Sequence, residues 1–390
     1  MHTANATTPS ELHGITADTP SPRPGTPESS GPGRLAVAVS GGTDSLMSLV
    51  QLARSGQPVI ALHAFFLPPD QGRLAVAEAL AGICRRLGVP FFVEDLSQVF
   101  DREIITPFAL AYASGLTPNP CARCNRRMKF GALFEAARRH GADRLATGHY
   151  AGLKRDTQGR AALVRGLDDT RDQSYFLSLV PIEVLGQACF PLAGQRKTDV
   201  RRRLAQLGFA PPLPCESRDI CFVSDNDYKQ FLLERGVALP GEGPILLENG
   251  HEIGRHQGLW RHTIGQRRGL RIPYREPLYV VAKDVARNTL VVGPQEALAV
   301  SGCRVTAGNT LVSAREWPRE LVIQTCYRMR PRPVRTAWQG DTLAVRFFEP
   351  LPRPAPGQLA VLYDLDGRVL AGGLIGDSSF SRNSPVRASR

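Results

Sequence analysis

No apolar run in the 390-residue chain reaches the roughly 18 to 20 residues that a bilayer-spanning helix needs, which excludes a membrane helix. The N-terminus lacks the basic start and apolar core of a secretory signal. Cysteine is sparse: Cys84, Cys121, Cys124, Cys189, Cys215, Cys221, Cys303 and Cys326 are too few for the disulfide framework of a small secreted scaffold. A reducing cytoplasm is expected, where a close cysteine pair more often serves as a ligand or redox group than as a staple. Acidic residues are in short supply: 36 Asp and Glu face 48 Lys and Arg, leaving +12. That surplus suits a polyanionic partner, nucleic acid ahead of a membrane surface, although a general preference for Arg would also produce it.

The length predicts two or three domains. Residues 1–33, rich in Pro, Thr, Ser and Gly, are expected to be a disordered tail without catalytic content. Leu35-Ala36-Val37-Ala38-Val39 then reads as a buried parallel strand and Asp44–Arg54 as a helix. Pro58–Leu62, Phe91–Val93 and Arg144–Thr147 are further predicted strands, with a helix over Leu74–Leu87 that ends at Gly88. Strands alternating with helices predict an α/β, doubly wound parallel sheet over 34–224. A small linking domain is expected over 225–296, starting with a helix at Asp225–Arg235. From Leu278 onward, short β-branched segments at Tyr279, Thr289, Leu321, Leu343 and Leu359 alternate with turns such as Arg287-Asn288 and Asp366-Gly367. They read as a small antiparallel β-barrel, with the C-terminal domain at 297–390. No internal repeat is evident.

Ser40-Gly41-Gly42-Thr43-Asp44-Ser45 lies where the first strand meets the first helix. Paired glycines let backbone N–H groups close on an anion, and the helix start adds further N–H donors and the positive dipole end. Ser40 and Ser45 offer hydroxyls, while Asp44 could cap the helix or hold a metal ion. The Gly-Lys-Ser/Thr ending of the mononucleotide P-loop is missing. An ordinary glycine-containing turn is the plain alternative. Position at the C-terminal end of the first strand favours a ligand site. The loop resembles that of the PP-loop ATP pyrophosphatases, which cleave ATP between its α and β phosphates and include amide-forming ligases and tRNA thiolases.

Two cysteine segments narrow the chemistry. Thr117-Pro118-Asn119-Pro120-Cys121-Ala122-Arg123-Cys124-Asn125 precedes an amphipathic helix carrying Phe130, Leu133 and Phe134, which places Cys124 near a helix start. Ser217-Arg218-Asp219-Ile220-Cys221-Phe222 stands before another helix. The alternatives are a structural metal half-site for the C-x-x-C, which lacks a matching second pair, and a buried core cysteine for Cys221.

Thr117–Asn125, Ala146-Thr147-Gly148-His149-Tyr150, Arg171-Asp172-Gln173-Ser174-Tyr175-Phe176-Leu177, Asp219-Ile220-Cys221-Phe222 and His262-Thr263-Ile264-Gly265-Gln266-Arg267, in that order, make the chain resemble the bacterial tRNA-uridine 2-sulfurtransferases from Leu35 to about Gly376. The resemblance implies that ATP, with Mg²⁺, adenylates the carbon-2 oxygen of the wobble uridine. A sulfur-donor protein or sulfide source would load Cys221, with Cys124 releasing the sulfur and a Cys124–Cys221 disulfide forming. It places nucleotide contacts at Ala38, Val39, Ser40, Gly41, Gly42, Thr43, Asp44, Ser45, Ala64 and Gly148. It places tRNA contacts at Asn119, Pro120, Cys121, His149, Arg171, Asp172, Gln173, Tyr327, Arg328 and Gln358. For His149 alone, a hydrogen-bonded histidine at a strand end is the competing assignment.

Two departures from the family pattern stand out. Cys121 occupies a position where many members have Asp, so that Cys121, Cys124 and Cys221 could ligate a [4Fe–4S] cluster, thiolates being its natural ligands. Thr43-Asp44-Ser45-Leu46 stands where Val-Asp-Ser-Ser is more usual. Basic residues cluster beside the motifs (Arg123, Arg126, Arg127, Lys129; Arg261, Arg267, Arg268, Arg271; Arg328, Arg330, Arg332), as a surface gripping folded RNA would require. The rival readings are an amide ligase sharing the loop, which leaves Cys124 and Cys221 without a task, and a non-enzymatic RNA- or metal-binding protein.

Overall fold

The structure, a computed structural model, describes residues 33–213 and 220–376. The chain forms two compact units. Of the described residues, the first takes in 33–103 and 124–213, and the second takes in 104–123 and 220–376.

In the first unit, β1 (Leu35–Ala38), β2 (Val59–Phe65), β3 (Phe91–Asp95), β4 (Arg144–Ala146) and β7 (Ala188–Cys189) form one sheet in the order β3-β2-β1-β4-β7, parallel throughout. β5 (Ala151–Arg155) and β6 (Ala161–Arg165) form a separate hairpin. Leu35, Ala36 and Val37 are fully buried, as a strand covered on both faces requires. Helix α1 (Thr43–Ala53) buries Leu46, Leu49 and Val50 against the sheet, and α2 (Gln71–Leu87) buries Ala77, Leu80, Ala81 and Cys84. Asp70 caps α2 by accepting from Arg73 N at 2.8 Å, and Gly88 ends it at φ 66°, a left-handed conformation that glycine adopts without strain. β1 lies between β2 and β4, so the strand order reverses beside it. The loop after β1 therefore sits at the switch point of the sheet, where open α/β sheets bind ligands.

In the second unit, β8 (Gly243–Leu247), β9 (Glu252–His256), β10 (Tyr279–Asp284) and β11 (Thr289–Gly293) form a mixed sheet in the order β10-β11-β8-β9 around Ile245, Leu259, Val280, Leu290 and Val292. β12 (Ala299–Thr310), β13 (Leu321–Gln324), β14 (Arg332–Gln339), β15 (Thr342–Pro352), β16 (Leu359–Tyr363) and β17 (Val369–Ile375) close an antiparallel barrel, β12-β15-β14-β13-β16-β17. Closure pairs every barrel edge.

Two expectations need correction. The segments at Tyr279 and Thr289 are not barrel strands; their hairpin, β10–β11, finds a parallel partner in β8 and covers a core of its own. The helix expected over Asp225–Arg235 begins later, at Tyr228–Glu234, because Asp225 and Asn226 have φ of 53° and 57°. Asp227 starts it by accepting from Lys229 N and Gln230 N at 3.0 and 3.1 Å.

Candidate active site

The loop after β1 is prefolded as an anion cradle. Gly41 turns at φ 88°, with its carbonyl accepting from Leu213 N at 3.0 Å. A side chain at Gly41 would also meet Val76 Cγ1 at 2.7 Å. Ser45 Oγ accepts from Ser40 N at 3.1 Å, donates to Gly42 O at 3.0 Å and lies 3.1 Å from Ser40 Oγ. Helix α1 opens at Thr43, which leaves the N–H groups of Thr43, Asp44 and Ser45 without intrahelical acceptors and aimed at the loop. Beneath, buried His63 approaches Val39 O through Nδ1 at 2.8 Å, and burial lowers its pKa, so the neutral ring donates that bond and fixes the strand end.

Asp44 does not cap α1. Gly42 occupies the N-cap, and the Asp44 carboxylate is turned to two other side chains. Tyr150 OH donates to Oδ1 at 2.9 Å and Lys197 Nζ to Oδ2 at 2.6 Å. Lys197 is 8% exposed, so its end of the ion pair is withdrawn from solvent, while the Asp44 carboxylate stays partly open. Both partners return to one loop. Lys197 N donates to Asp168 Oδ2 at 3.0 Å, and Tyr150 N donates to Gln173 Oε1 at 3.0 Å. Asp44, Tyr150, Gln173, Asp168 and Lys197 thus form a closed ring that joins the cradle to loop 168–173. The motif search missed Lys197 and Asp168. One signal was present: Lys197 opens helix α3 (Lys197–Gln206), where a cation opposes the helix dipole and needs a local carboxylate.

Gly148 is brought to this site. A Cβ there would lie 2.8 Å from Asp44 C and 2.9 Å from Ser45 N, closer than any side chain permits. Gly148→Ala is expected to cost about 1–3 kcal/mol of stability by overpacking and to weaken ATP binding about tenfold through displacement of the loop. Thermal unfolding and calorimetric titration check this; unchanged ATP affinity would separate Gly148 from the cradle. Ala38 ends β1 and Val39 follows it, with Val39 N donating to Leu62 O at 2.9 Å, and Ala64 lies near the end of neighbouring β2.

The cysteine segments differ from expectation. Asn119 Oδ1 accepts from Ala122 N at 3.2 Å and Pro120 takes the first helical position, so the helix starts at Pro120–Cys124 and runs on into Asn125–Ala132. Cys124 therefore lies a turn inside the helix, not at its start, and gains no N-terminal dipole. It is partly buried, while Cys121 is exposed. Cys221 is exposed, which overturns the core-cysteine alternative. Its neighbour Phe222 supplies the anchor, packing edge-on to Phe108 at 5.1 Å and against Phe231 at 5.4 Å. Cys215, Ser217, Arg218 and Asp219 lie outside the described residues.

The remaining expected tRNA contacts divide by accessibility. His149 is buried, with Thr147 Oγ1 2.7 Å from Nδ1 and Lys129 Nζ 3.3 Å from Nε2. Burial first, and the Lys129 charge second, hold its pKa well below the ordinary value, so the ring is neutral. Asp172 is also buried and accepts from Gly166 N, Ser174 N and Ser174 Oγ; burial raises its pKa. Arg171 is partly exposed. On the barrel, Arg328 is exposed at φ 67° and its guanidinium stands 5.4 Å from the Tyr327 ring centroid. Gln358 donates through Nε2 to Thr117 O and Pro118 O. In the second unit, Arg267, Arg271 and Arg275 line an open cleft of about 570 Å³. Among the described residues, no three His, Cys, Asp or Glu side chains are arranged to hold a metal ion, and no helix is long and apolar enough to cross a membrane.

A doubly wound parallel sheet with an anion cradle at its switch point defines a nucleotide-binding α/β domain, here carried with two β domains. Residues 33–225 match the tRNA methyl transferase HUP domain, 229–294 the tRNA methyl transferase PRC-barrel domain, and 300–375 the aminomethyltransferase beta-barrel domain. A tRNA-specific 2-thiouridylase MnmA of Nitratidesulfovibrio vulgaris (strain Miyazaki F) is 52% identical over 347 residues, 88% of this chain and 99% of that protein. The MnmA of Oleidesulfovibrio alaskensis is 50% identical over 350 residues, 87% of this chain and 98% of that protein. A 4-thiouridine synthetase–RNA complex with bound ATP is similar at 15% identity and a TM-score of 0.33, covering 52% of this chain and 50% of that one, a level that carries no argument. The chain belongs to the tRNA-specific 2-thiouridylase family, enzymes of the tRNA sulfurtransferase class.

Proposed function

We propose that this enzyme replaces the carbon-2 oxygen of the tRNA wobble uridine with sulfur, in a cytoplasmic setting and at the expense of ATP. The observation that carries the reading is the cradle and its Asp44 ring, in a chain that also presents Cys221 to solvent. The uridine oxygen attacks the α-phosphorus of ATP, forming an O-adenylated base and releasing pyrophosphate. N–H groups of Thr43, Asp44 and Ser45 receive the departing charge, and Lys197, already beside the loop, adds a cation. Mg²⁺ fits only as an ion carried on the ATP phosphates, with Asp44 as the protein carboxylate beside them, where it would spread their charge.

Sulfur then follows a balanced path. Cys221, loaded by a sulfur donor as Cys221–S–SH, attacks carbon 2 through its outer sulfur; AMP leaves with the former uridine oxygen. The Cys124 thiolate attacks the Cys221 sulfur, the S–S bond breaks, and the outer sulfur stays on carbon 2 as a thiocarbonyl. The two cysteines end as a disulfide, which a dithiol reductant resets. Cys121, Cys124 and Cys221 would be the ligands of a [4Fe–4S] cluster; the path above needs none, and no step is derived through one. Asn119, Pro120 and Cys121 are proposed to border the target base, with tRNA held by Arg171, Gln173, Tyr327 and Arg328 and the basic residues around them, while buried His149 and Asp172 support that surface from beneath. The division into 34–224, 225–296 and 297–390 is retained as the functional partition.

Nucleoside analysis of tRNA incubated with enzyme, ATP, Mg²⁺, a sulfane-sulfur (persulfide) donor and a dithiol reductant is expected to show 2-thiouridine, with one AMP and one pyrophosphate per sulfur inserted. Absence of both the thionucleoside and pyrophosphate would reject the reading. Protein purified anaerobically is expected to thiolate tRNA with far less than one iron per chain; activity that tracks iron content would restore the cluster route.

A further inference from the structure

Two sequence features without a structural role so far, Gln358 and the His262–Arg267 run, meet on one stretch of the second unit. That stretch is Gly115–Pro118, which leads directly into Asn119-Pro120-Cys121. From the barrel, Pro356 O accepts from Thr117 N at 2.9 Å. Gly357, at φ 88°, lies so close that a Cβ would sit 3.1 Å from both Thr117 N and Thr117 O. The Gln358 amide donates to Thr117 O at 3.1 Å and Pro118 O at 3.4 Å. The Gln358 main chain is itself fixed, its carbonyl accepting from Ile375 N of β17 at 2.8 Å. From the mixed-sheet side, Lys283 Nζ donates to Gly115 O at 2.8 Å and Thr263 Oγ1 stands 3.5 Å from Thr117 Oγ1. Gln266 Oε1 braces Thr263 by accepting from its N–H at 3.0 Å.

We propose that Gln358 is a positioning residue whose side-chain amide, with Thr263 and Lys283 opposite, clamps Thr117-Pro118 and so sets the Asn119–Cys121 segment for sulfur transfer. Both Gln358 N–H donors face main-chain carbonyls that helix and sheet leave unpaired, which is work inside the protein. Carbonyls held by a rigid turn transmit position; an exposed glutamine reaching toward a nucleotide would have its amide in solvent. The catalytic consequence rests on the thiolation reading, whereas the clamp itself is a property of the fold.

Gln358→Met keeps length and volume but removes the donors, and Gln358→Glu, when ionised, sets a carboxylate against two carbonyls. In Gln358→Met, amides from Thr117 to Ala122 are expected to exchange about tenfold faster, with the melting temperature near that of the parent. Single-turnover thiolation at saturating tRNA should slow about tenfold, while the tRNA dissociation constant stays within about twofold. Gln358→Glu should behave worse and recover as pH falls and the carboxyl regains a proton to donate. A tenfold loss of tRNA affinity with unchanged exchange would overturn the proposal and make Gln358 a tRNA contact. Should Gln358→Met unfold, Lys283→Met loosens the same stretch from the other side, and unchanged exchange there also overturns it. If the parent enzyme makes no 2-thiouridine, the functional reading fails while the exchange result still decides the clamp.

Discussion

Replacing Cys221 or Cys124 with serine is expected to lower thiolation of tRNA about a thousandfold or more, while leaving tRNA-dependent pyrophosphate release in place. A serine hydroxyl carries no sulfane sulfur and is a poor nucleophile toward an S–S bond, so each substitution removes a covalent step rather than a contact. The two variants should stop at different points. Cys221→Ser cannot be loaded, and protein mass after incubation with a sulfur donor should show no added sulfur at this site. Cys124→Ser can be loaded and can attack the activated base, so it should accumulate a tRNA adduct through Cys221 that dithiothreitol releases. Cys221 is exposed, as loading by a donor requires, and Cys124 is partly buried. Retention of thiolation in both variants would remove the persulfide mechanism; retention in Cys124→Ser alone would mean that an external thiol, not Cys124, releases the sulfur from Cys221.

The second large effect is expected at Lys197. Lys197→Met should reduce adenylation, read as tRNA-dependent pyrophosphate release, by about 100- to 1,000-fold, the scale seen when a preorganised charge is lost from a reacting phosphate or oxyanion. Stability should fall as well. Breaking a fully buried pair costs about 3–5 kcal/mol. The Asp44 side chain is 30% exposed and keeps the Tyr150 bond, so about 1–3 kcal/mol is expected here. The double variant Asp44→Asn/Lys197→Met separates the two roles. It should recover much of the lost stability, because neither charge is left alone, yet remain inactive. Recovery of activity along with stability would reduce Lys197 to a structural counterion.

How much of this was legible before folding depends on the scale of the interaction. The sheet, the cradle and the barrel follow from local pattern: Leu35–Ala38 is apolar enough to be buried on both faces, Gly41 and Gly42 permit the turn, and Asp366-Gly367 marks a hairpin. The ring around Asp44 joins residues 106 and 153 positions apart, and no periodicity encodes such pairings. Cys124 was misplaced relative to its helix because Asn119-Pro120 is both a stiff approach and a helix start, and Asn119 Oδ1 decides for the second. The hairpin at Tyr279 read as barrel because antiparallel strands look alike in sequence; only the parallel partner β8 distinguishes it. Gln358 carries no chemical signature at all, since its role lies in carbonyls it meets far along the chain.

That distance has a cost during synthesis. Thr117 leaves the ribosome 241 residues ahead of Gln358. At translation rates of roughly 5–20 residues per second, Gly115–Pro118 waits roughly 12–48 s for its barrel partner. For about the first half of that interval, Phe108 and Tyr112 also lack Phe222, Phe231 and Tyr228, against which they finally pack. A nascent chain stalled before residue 222 should therefore present this apolar helix to chaperones and proteases, however well its nucleotide-binding sheet has formed.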